Sequence, residues 1–332
     1  MNEGILKSSK VLVTGGAGFI GSNIIEKLLE QDNFIVCLDN LSTGKMANIE
    51  AFIKHKNFRF MNADIRNIES CQQACKNIDI VLHQAALGSV PRSINDPITT
   101  NQVNIDGFLN MLIASRDNKI KRFVYASSSS VYGDNNGLPK LEGKTGNQLS
   151  PYAVTKSLNE KYAKVFGEIY GMETVGLRYF NVFGKNQDPE GEYAAVFPKF
   201  IKALIRHEAP IIFGDGKQSR DFTYIANVIQ ANELAATNTN KDALNTVYNI
   251  AYGRNLSLNN LTNELIEALS VFDHRIADIK PVYGPVRQGD IIDSLASIEK
   301  AKRVLGYEPK YNVHDGLKLA VNWYFDNLKT SF

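Results

Sequence analysis

Between residues 10 and 180, short runs of apolar and β-branched residues alternate with longer stretches of helical spacing. The runs are Lys10–Thr14, Phe34–Leu38, Phe58–Asn62, Ile80–His83, Arg122–Ser127 and Thr174–Arg178, each short enough to be a buried parallel strand. A strand-and-helix alternation of this kind predicts a parallel sheet with crossover helices. Two of the intervening helices are long. One runs from about Pro97 to Arg116; the other follows Pro151, a favoured first helical position, with Ser150 available as N-cap. Both could pack in a subunit interface.

After Asn181 the rhythm breaks, and clusters rich in glycine, proline and polar residues at Gly184–Gly191, Phe213–Gln218 and Tyr283–Gly289 separate short elements. A smaller second lobe is expected there, which divides the chain into residues 1–182 and 183–332. The run Asn245–Ile250 is apolar enough to return to the first sheet as an extra strand. At 332 residues the chain exceeds the usual size of one hydrophobic core, which suits the same division.

The first strand leads directly into Gly15-Gly16-Ala17-Gly18-Phe19-Ile20-Gly21, and the helix that opens there carries apolar residues at Ile24, Ile25, Leu28 and Leu29. Glycines let backbone amides approach a pyrophosphate, and a helix N-terminus offers unpaired N–H groups with a partial positive charge. The second strand ends at Asp39, eighteen residues after Gly21, where a carboxylate can accept hydrogen bonds from ribose hydroxyls. A 2′-phosphate would meet a like charge at that point. Asn40-Leu41-Ser42-Thr43 supplies no arginine to compensate, although Lys45 is near, so NAD is favoured over NADP. Asp64-Ile65 ends the third strand where an adenine edge would lie. His83-Gln84-Ala85-Ala86 ends the fourth with small residues that let a dinucleotide pass, and His83 itself reads as a packed core histidine. The architecture expected is α/β: a Rossmann-type doubly wound parallel sheet with a smaller C-terminal α/β lobe.

Tyr152 and Lys156 lie four apart on the helix after Pro151, so the phenol and the ammonium share a face. A nearby cation, joined by the charge of a nicotinamide, stabilises a phenolate. Lowering the phenol by about three units corresponds to roughly 4 kcal/mol, enough to make a base at neutral pH. Upstream, Ser127-Ser128-Ser129-Ser130-Val131-Tyr132-Gly133 places hydroxyls at the carboxyl edge of the sheet, where open α/β folds bind ligands.

Charge changes this picture little. A net charge of +2, with no clustered Lys and Arg, argues against a nucleic-acid surface. No segment has the length and apolarity of a membrane span, and a cytoplasmic protein is expected. Cys37, Cys71 and Cys75 lack the spacing of a metal or redox pair and read as reduced packing residues; no metal is expected.

The segments T-G-G-A-G-F-I-G-S, S-S-S-S-V-Y-G-D, S-P-Y-A-V-T-K and L-R-Y-F-N-V-F-G resemble those of the extended short-chain dehydrogenase/reductases that modify nucleotide sugars, over nearly the whole chain. Within that group, H-Q-A-A-L-G-S-V-P-R-S at 83–93 and S-R-D-F-T-Y-I at 219–225 most resemble bacterial UDP-N-acetylglucosamine 4-epimerases, which supply surface-polysaccharide pathways. The resemblance implies that Tyr152 is the catalytic base, that Lys156 holds the nicotinamide ribose and tunes Tyr152, and that Ser128 and Ser129 bond the reacting hydroxyl. For NAD it implies Gly15, Gly18, Phe19, Ile20, Gly21, Asp39, Asn40, Ser42, Thr43, Gly44, Asp64, Ile65, Gln84, Ala85, Ala86, Asn104 and Tyr179 beside the catalytic pair. For the sugar nucleotide it implies Gly88, Ser89, Ser130, Asn181, Ala195, Val196 and Lys199. Arg220 and Arg287 match diphosphate-binding arginines, Asp290 a ribose acceptor, and Ser294 a pocket position that is small where an N-acetyl group is accepted. The implied partners are a UDP-sugar substrate and a second copy of the chain in a homodimer.

The implied activity is interconversion of UDP-GlcNAc and UDP-GalNAc through a transient 4-keto sugar, with UDP-glucose, UDP-galactose or the uronates as further substrates and Arg92 available to a uronate. Sugar-nucleotide 4,6-dehydratases share the fold but carry Thr-Asp-Glu where Ser128-Ser129-Ser130 stand, and decarboxylases usually carry a glutamate there. A non-catalytic NAD sensor is the alternative of another class, since a dinucleotide fold does not by itself require turnover.

Overall fold

The computed structural model describes residues 4–190, 194–286 and 293–329. Its centre is a seven-stranded sheet of β1 (Lys10–Thr14), β2 (Phe34–Asp39), β3 (Phe58–Asn62), β4 (Ile80–His83), β5 (Arg122–Ser128), β6 (Thr174–Tyr179) and β7 (Thr246–Ile250), in the order β7-β6-β5-β4-β1-β2-β3. All neighbours are parallel. This is the doubly wound order, with β7 added beyond β6.

Successive side chains of a strand point to opposite faces, and both faces here are covered. Val11 and Val13 of β1 join one core with Ile24, Ile25 and Leu28 of helix Phe19–Leu29. Leu12 joins the other, with Val81, Phe108 and Leu112. A third core, around Phe183, Phe197, Ile201, Leu261, Leu265 and Tyr324, lies among the elements after residue 182.

The helical stretch expected from Pro97 to Arg116 runs from Pro97 to Asp117, but it is not uniformly α. Pro97–Asn101 and Gly107–Asp117 are α-helical, and Gln102–Asp106 between them is a π-helical turn. Such insertions concentrate at functional sites because one extra residue re-aims a side chain. Here the buried residue of that turn is Asn104. The second long helix spans Pro151–Tyr170; Ser150 caps it by accepting from Ala153 N at 3.2 Å, and Gly171 closes it in the left-handed conformation. No helix among the described residues is long and apolar enough to cross a membrane.

Candidate active site

The strands of the sheet all point their carboxyl ends at one edge, where an open cleft of about 1250 Å³ lies over β1, β2 and β4. Gly15, Gly18, Phe19, Ile20, Gly21, Asp39, Asn40, Ser42, Thr43, Asp64, Ile65, Gln84, Ala85, Ala86 and Gly88 line it. Gly44 adjoins: its Cα packs so tightly on Asp39 that a Cβ there would lie 2.9 Å from both carboxylate oxygens. Helix Phe19–Leu29 begins at Gly18 with no side-chain cap, so its first N–H groups face the cleft. Gly15 holds φ +66°, and a Cβ on it would come within 2.7 Å of the Ala85 backbone. That turn accepts only glycine.

Asp39 is buried and its two oxygens accept from Ala17 N at 2.9 Å and Leu41 N at 2.8 Å. Burial pushes its carboxyl up, opposed by those two N–H groups. Each oxygen keeps a lone pair for a ribose hydroxyl. Asp64 is clamped by Arg66 (3.1 and 2.7 Å) and Asn40 (2.7 Å), and Arg66 holds its carboxyl below the usual range. Lys45, the one cation that could favour a 2′-phosphate among the residues considered from sequence, pairs with Asp188 at 2.8 Å. The donor set therefore fits NAD: uncapped helix amides for a pyrophosphate and a ribose-facing carboxylate with its neighbouring lysine already engaged.

Three of the expected cofactor residues are tied into the wall of this cleft. Gln84 and Tyr179 bond each other (3.2 Å), and Asn232 closes the triangle at 3.1 and 2.9 Å. Asn104 exchanges both its amide groups with Leu87 (2.8 and 3.1 Å) and donates to Thr155 at 3.2 Å. Thr155 in turn donates to Tyr152 O at 2.8 Å. The π-turn thus docks the helix bearing Tyr152 onto the cofactor cleft. His83 is buried between Phe108 and Phe123, bonded to Thr14 at 2.8 Å and pulled down to about 3 by burial, so it is neutral.

Tyr152 and Lys156 meet at the end of β5. The Ser128 hydroxyl bonds Tyr152, and Lys156 Nζ lies 6.0 Å from the centre of the Tyr152 ring. The ammonium is buried and donates to Ala126 O at 2.8 Å; burial pulls it down to about 8, opposed by the Glu160 carboxylate. Burial pushes Tyr152 above its ordinary value, and the Ser128 bond opposes this only in part. The charge of a bound nicotinamide, expected from the sequence to act beside Lys156, would oppose the same rise. The phenolate needs a second positive charge. Ser129 opens the short turn Ser129–Tyr132, and Ser128 Oγ accepts from Ser130 N at 3.1 Å. Ser130 Oγ is buried without a hydrogen-bond partner.

The remaining expected residues are spread from the segment after β4 to the segment around Ser294. Ser89 sits at φ 103° and caps the short helix Val90–Asn95 by accepting from Arg92 N at 3.3 Å. Asn181, at φ 33°, donates to Asp221 O at 3.1 Å. Ala195 is the N-cap of helix Val196–Ile205, on which Val196 is half-buried and Lys199 exposed. Arg220 is half-buried and donates to Ser219 O at 2.9 Å; the buried Ser294 donates its N–H to the same carbonyl at 3.1 Å. Asp221 is buried and accepts from Tyr252 N, Gly253 N and Ala296 N at 3.1–3.2 Å, and burial pushes its carboxyl up to about 7. Arg287 and Asp290 lie outside the described residues. Among the described residues no three His, Cys, Asp or Glu side chains converge as metal ligands.

Sequence reasoning missed Asn48, Asn186 and Asp188 in the cleft wall and Asn232 behind it. It also missed Glu160 and Arg178, which sit under Lys156. The spacing Lys156–Glu160, four apart on one helix, was the available signal.

A doubly wound sheet with a glycine turn, a ribose-facing acid and a tyrosine–lysine pair at its carboxyl edge defines an NAD-dependent dehydrogenase-like enzyme. The chain belongs to the NAD dependent epimerase/dehydratase family, whose sequence profile matches residues 11–251, and NAD is its cofactor. A putative UDP-glucose 4-epimerase of Methanocaldococcus jannaschii is 38% identical over 323 residues, covering 96% of this chain and 100% of that one. The structure of a UDP-N-acetylglucosamine 4-epimerase from Methanobrevibacter ruminantium, in complex with UDP-N-acetylmuramic acid, superposes with a TM-score of 0.90 at 40% identity, covering 97% of this chain and 100% of that one. A UDP-glucuronic acid 4-epimerase from Bacillus cereus, in complex with UDP-glucuronic acid and NAD, gives a TM-score of 0.85 at 31% identity over 97% of this chain and 100% of that one.

Proposed function

We propose that the protein is a UDP-sugar 4-epimerase that interconverts UDP-GlcNAc and UDP-GalNAc for polysaccharide synthesis. The observation that carries the reaction type is the Ser128–Tyr152–Lys156 cluster at the sheet edge, beside a cleft suited to NAD. NAD, held in the cleft, would supply reversible hydride acceptance at C4, so that the hydride lost from one face of the sugar could return to the other. Tyr152 takes the proton of the C4 hydroxyl as the C4–H bond breaks, and returns it when the carbonyl is reduced. Ser128 orients that hydroxyl through its bond to Tyr152. Lys156 adds positive charge from below, which the buried phenol requires before it can act as a base. The firm hold on the nucleotide is assigned to Arg220, with Arg287, Asp290, Asn181 and the 195–199 segment completing that side.

The sugar preference rests on two small residues. A Cβ on Gly88 would meet nothing within 4 Å, so the cleft is open there, and Ser294, which the resemblance matches to the sugar pocket, carries only a hydroxymethyl group. Together they support room for an N-acetyl group. The exposed apolar side chains Ile98, Val154, Val165 and Ile169 on the two long helices support the homodimer. The residues after 182 are proposed as the substrate lobe, except β7, which belongs to the cofactor sheet.

The test is an NMR time course of purified protein with UDP-GlcNAc, UDP-GalNAc, UDP-glucose and the uronates. Equilibration of the two N-acetylated sugars faster than the others is expected. Conversion of the uronates alone would reassign the pocket, with Arg92, which lines the cleft, as the carboxylate partner. A 4-keto-6-deoxy product would overturn epimerisation.

A further inference from the structure

Behind the Tyr152–Lys156 pair lies a second set of charges outside the lining of the cofactor cleft. Helix Pro151–Tyr170 carries Glu160 one turn beyond Lys156, so both side chains face β5. Strand and helix match rung for rung: Lys156 Nζ donates to Ala126 O at 2.8 Å, and the next residue, Ser127, donates its hydroxyl to Glu160 Oε1 at 2.5 Å. The pairing of β5 with β6 sets Arg178 opposite Ser127, and its guanidinium forks onto both Glu160 oxygens at 2.9 and 2.8 Å. Arg178 is fixed in turn by the Tyr132 hydroxyl and the Glu142 carbonyl, each at 3.0 Å. Ser127, Lys156 and Arg178 are all buried.

We propose that Glu160 is a positioning residue for the reaction, whose carboxylate, anchored by Ser127 and Arg178, keeps the Lys156 ammonium charged and in place under Tyr152. The inference rests on the role given to Lys156 above. Few titratable groups face that ammonium. Its own helix contributes Tyr152 and Glu160, β6 contributes Arg178 behind Glu160, β4 contributes the neutral His83, and β5 contributes Tyr125, a phenol that burial keeps protonated. Glu160 is the negative charge in this set. Burial draws Lys156 down to about 8, and Glu160 is what opposes the fall. Removing one nearby charge therefore changes how much of the lysine is protonated near neutral pH.

The experiment compares wild type, Glu160→Gln and Arg178→Gln by NAD affinity and by kcat, each as a function of pH. With Glu160→Gln the alkaline limb of both profiles should move down by about one pH unit, a loss of roughly tenfold on its steep part. Arg178→Gln leaves Lys156 as the main counter-charge of Glu160, and the limb should move up. A carboxylate with a merely structural role would lower both profiles without moving the limb. An unmoved limb in Glu160→Gln, or shifts of the same sign in the two variants, overturns the proposal. If Glu160→Gln leaves Arg178 uncompensated and yields no folded protein, the direction of the Arg178→Gln shift decides alone. NAD titration needs no sugar, so a wild type without turnover would count against the proposed function and leave this test intact.

Discussion

Gly21→Ala tests whether the contact between the first turn and its helix fixes the cofactor cradle. A Cβ on Gly21 would run into the Gly15 carbonyl oxygen, and would lie 2.7 Å from Gly16 Cα and 2.9 Å from Gly15 C. Ordinary contact begins at 3.4 Å, so the start of the helix must move from the turn by at least 0.7 Å (3.4 − 2.7). All three atoms are backbone, and no rotamer change relieves the clash. Overpacking of this kind costs about 1–3 kcal/mol, offset by about 1 kcal/mol of helix propensity, which leaves a net loss of about 1 kcal/mol. The movement also withdraws the uncapped helix amides from a pyrophosphate. Losing two charge-assisted hydrogen bonds costs about 3 kcal/mol, or about a hundredfold in Kd for NAD. Urea denaturation reads the first quantity, and calorimetric titration of NAD into stripped protein reads the second. Gly18→Ala is the internal control for stability, because its Cβ would meet only the Gly15 oxygen, at 3.2 Å. Wild-type stability and NAD affinity in Gly21→Ala would refute the reasoning.

Three further outcomes are expected. Tyr152→Phe removes the proton acceptor and should lower kcat by about 10²–10⁴-fold while NAD and UDP binding persist; a near-normal kcat in a coupled assay would exclude Tyr152 as the base. Ser294→Tyr should abolish turnover of UDP-GalNAc and spare UDP-galactose, and equal activity on both sugars by NMR would show that Ser294 does not border the N-acetyl group. Burial raises Asp221 from the ordinary carboxylate range to about 7 in the folded protein, so its favourable contribution is complete below about pH 4 and is lost as pH rises through 7. The stability of wild type relative to Asp221→Asn should therefore fall by about 3 kcal/mol between pH 5 and pH 8, and a constant difference across that range in urea titrations would show an ordinary carboxylate there.

Much of the fold was legible because each strand is a compact, local signal. Apolar runs such as Val11–Val13 have cores waiting on both faces, and strands end where Asp39 or Ser128 introduces a polar group. The glycine turn and the Tyr152–Lys156 spacing are local too, and both were readable for that reason. What was hidden depends on distant pairings. Asn104 reaches Leu87 and Thr155 only because a π-turn, invisible to a 3.6-residue period, rotates it inward. Lys45 meets Asp188 across 143 residues of chain, and Glu160 meets Arg178 only through the register of β5 on β6. The acceptor that Lys156 faces, the Ala126 carbonyl, was hidden for the same reason: spacing shows only that a cation is near the phenol.

The polar chain that begins at Glu160 does not stop at Arg178. The Tyr132 hydroxyl donates to Asn249 Oδ1 of β7 at 2.6 Å, and Asn249 donates to the carbonyls of Lys140 and Ser297, three residues beyond Ser294. The helix that carries Tyr152 and the segment next to Ser294, the proposed base and the proposed sugar wall, are thereby joined through one polar seam. A hinge at that seam would strand several buried donors at once, at a cost of about 1–3 kcal/mol for each. In the proposed reaction one face of the ketone must give way to the other. With this side bonded through, the proposal assigns that half-turn to the hexose, swinging on its diphosphate tether, rather than to the protein around it.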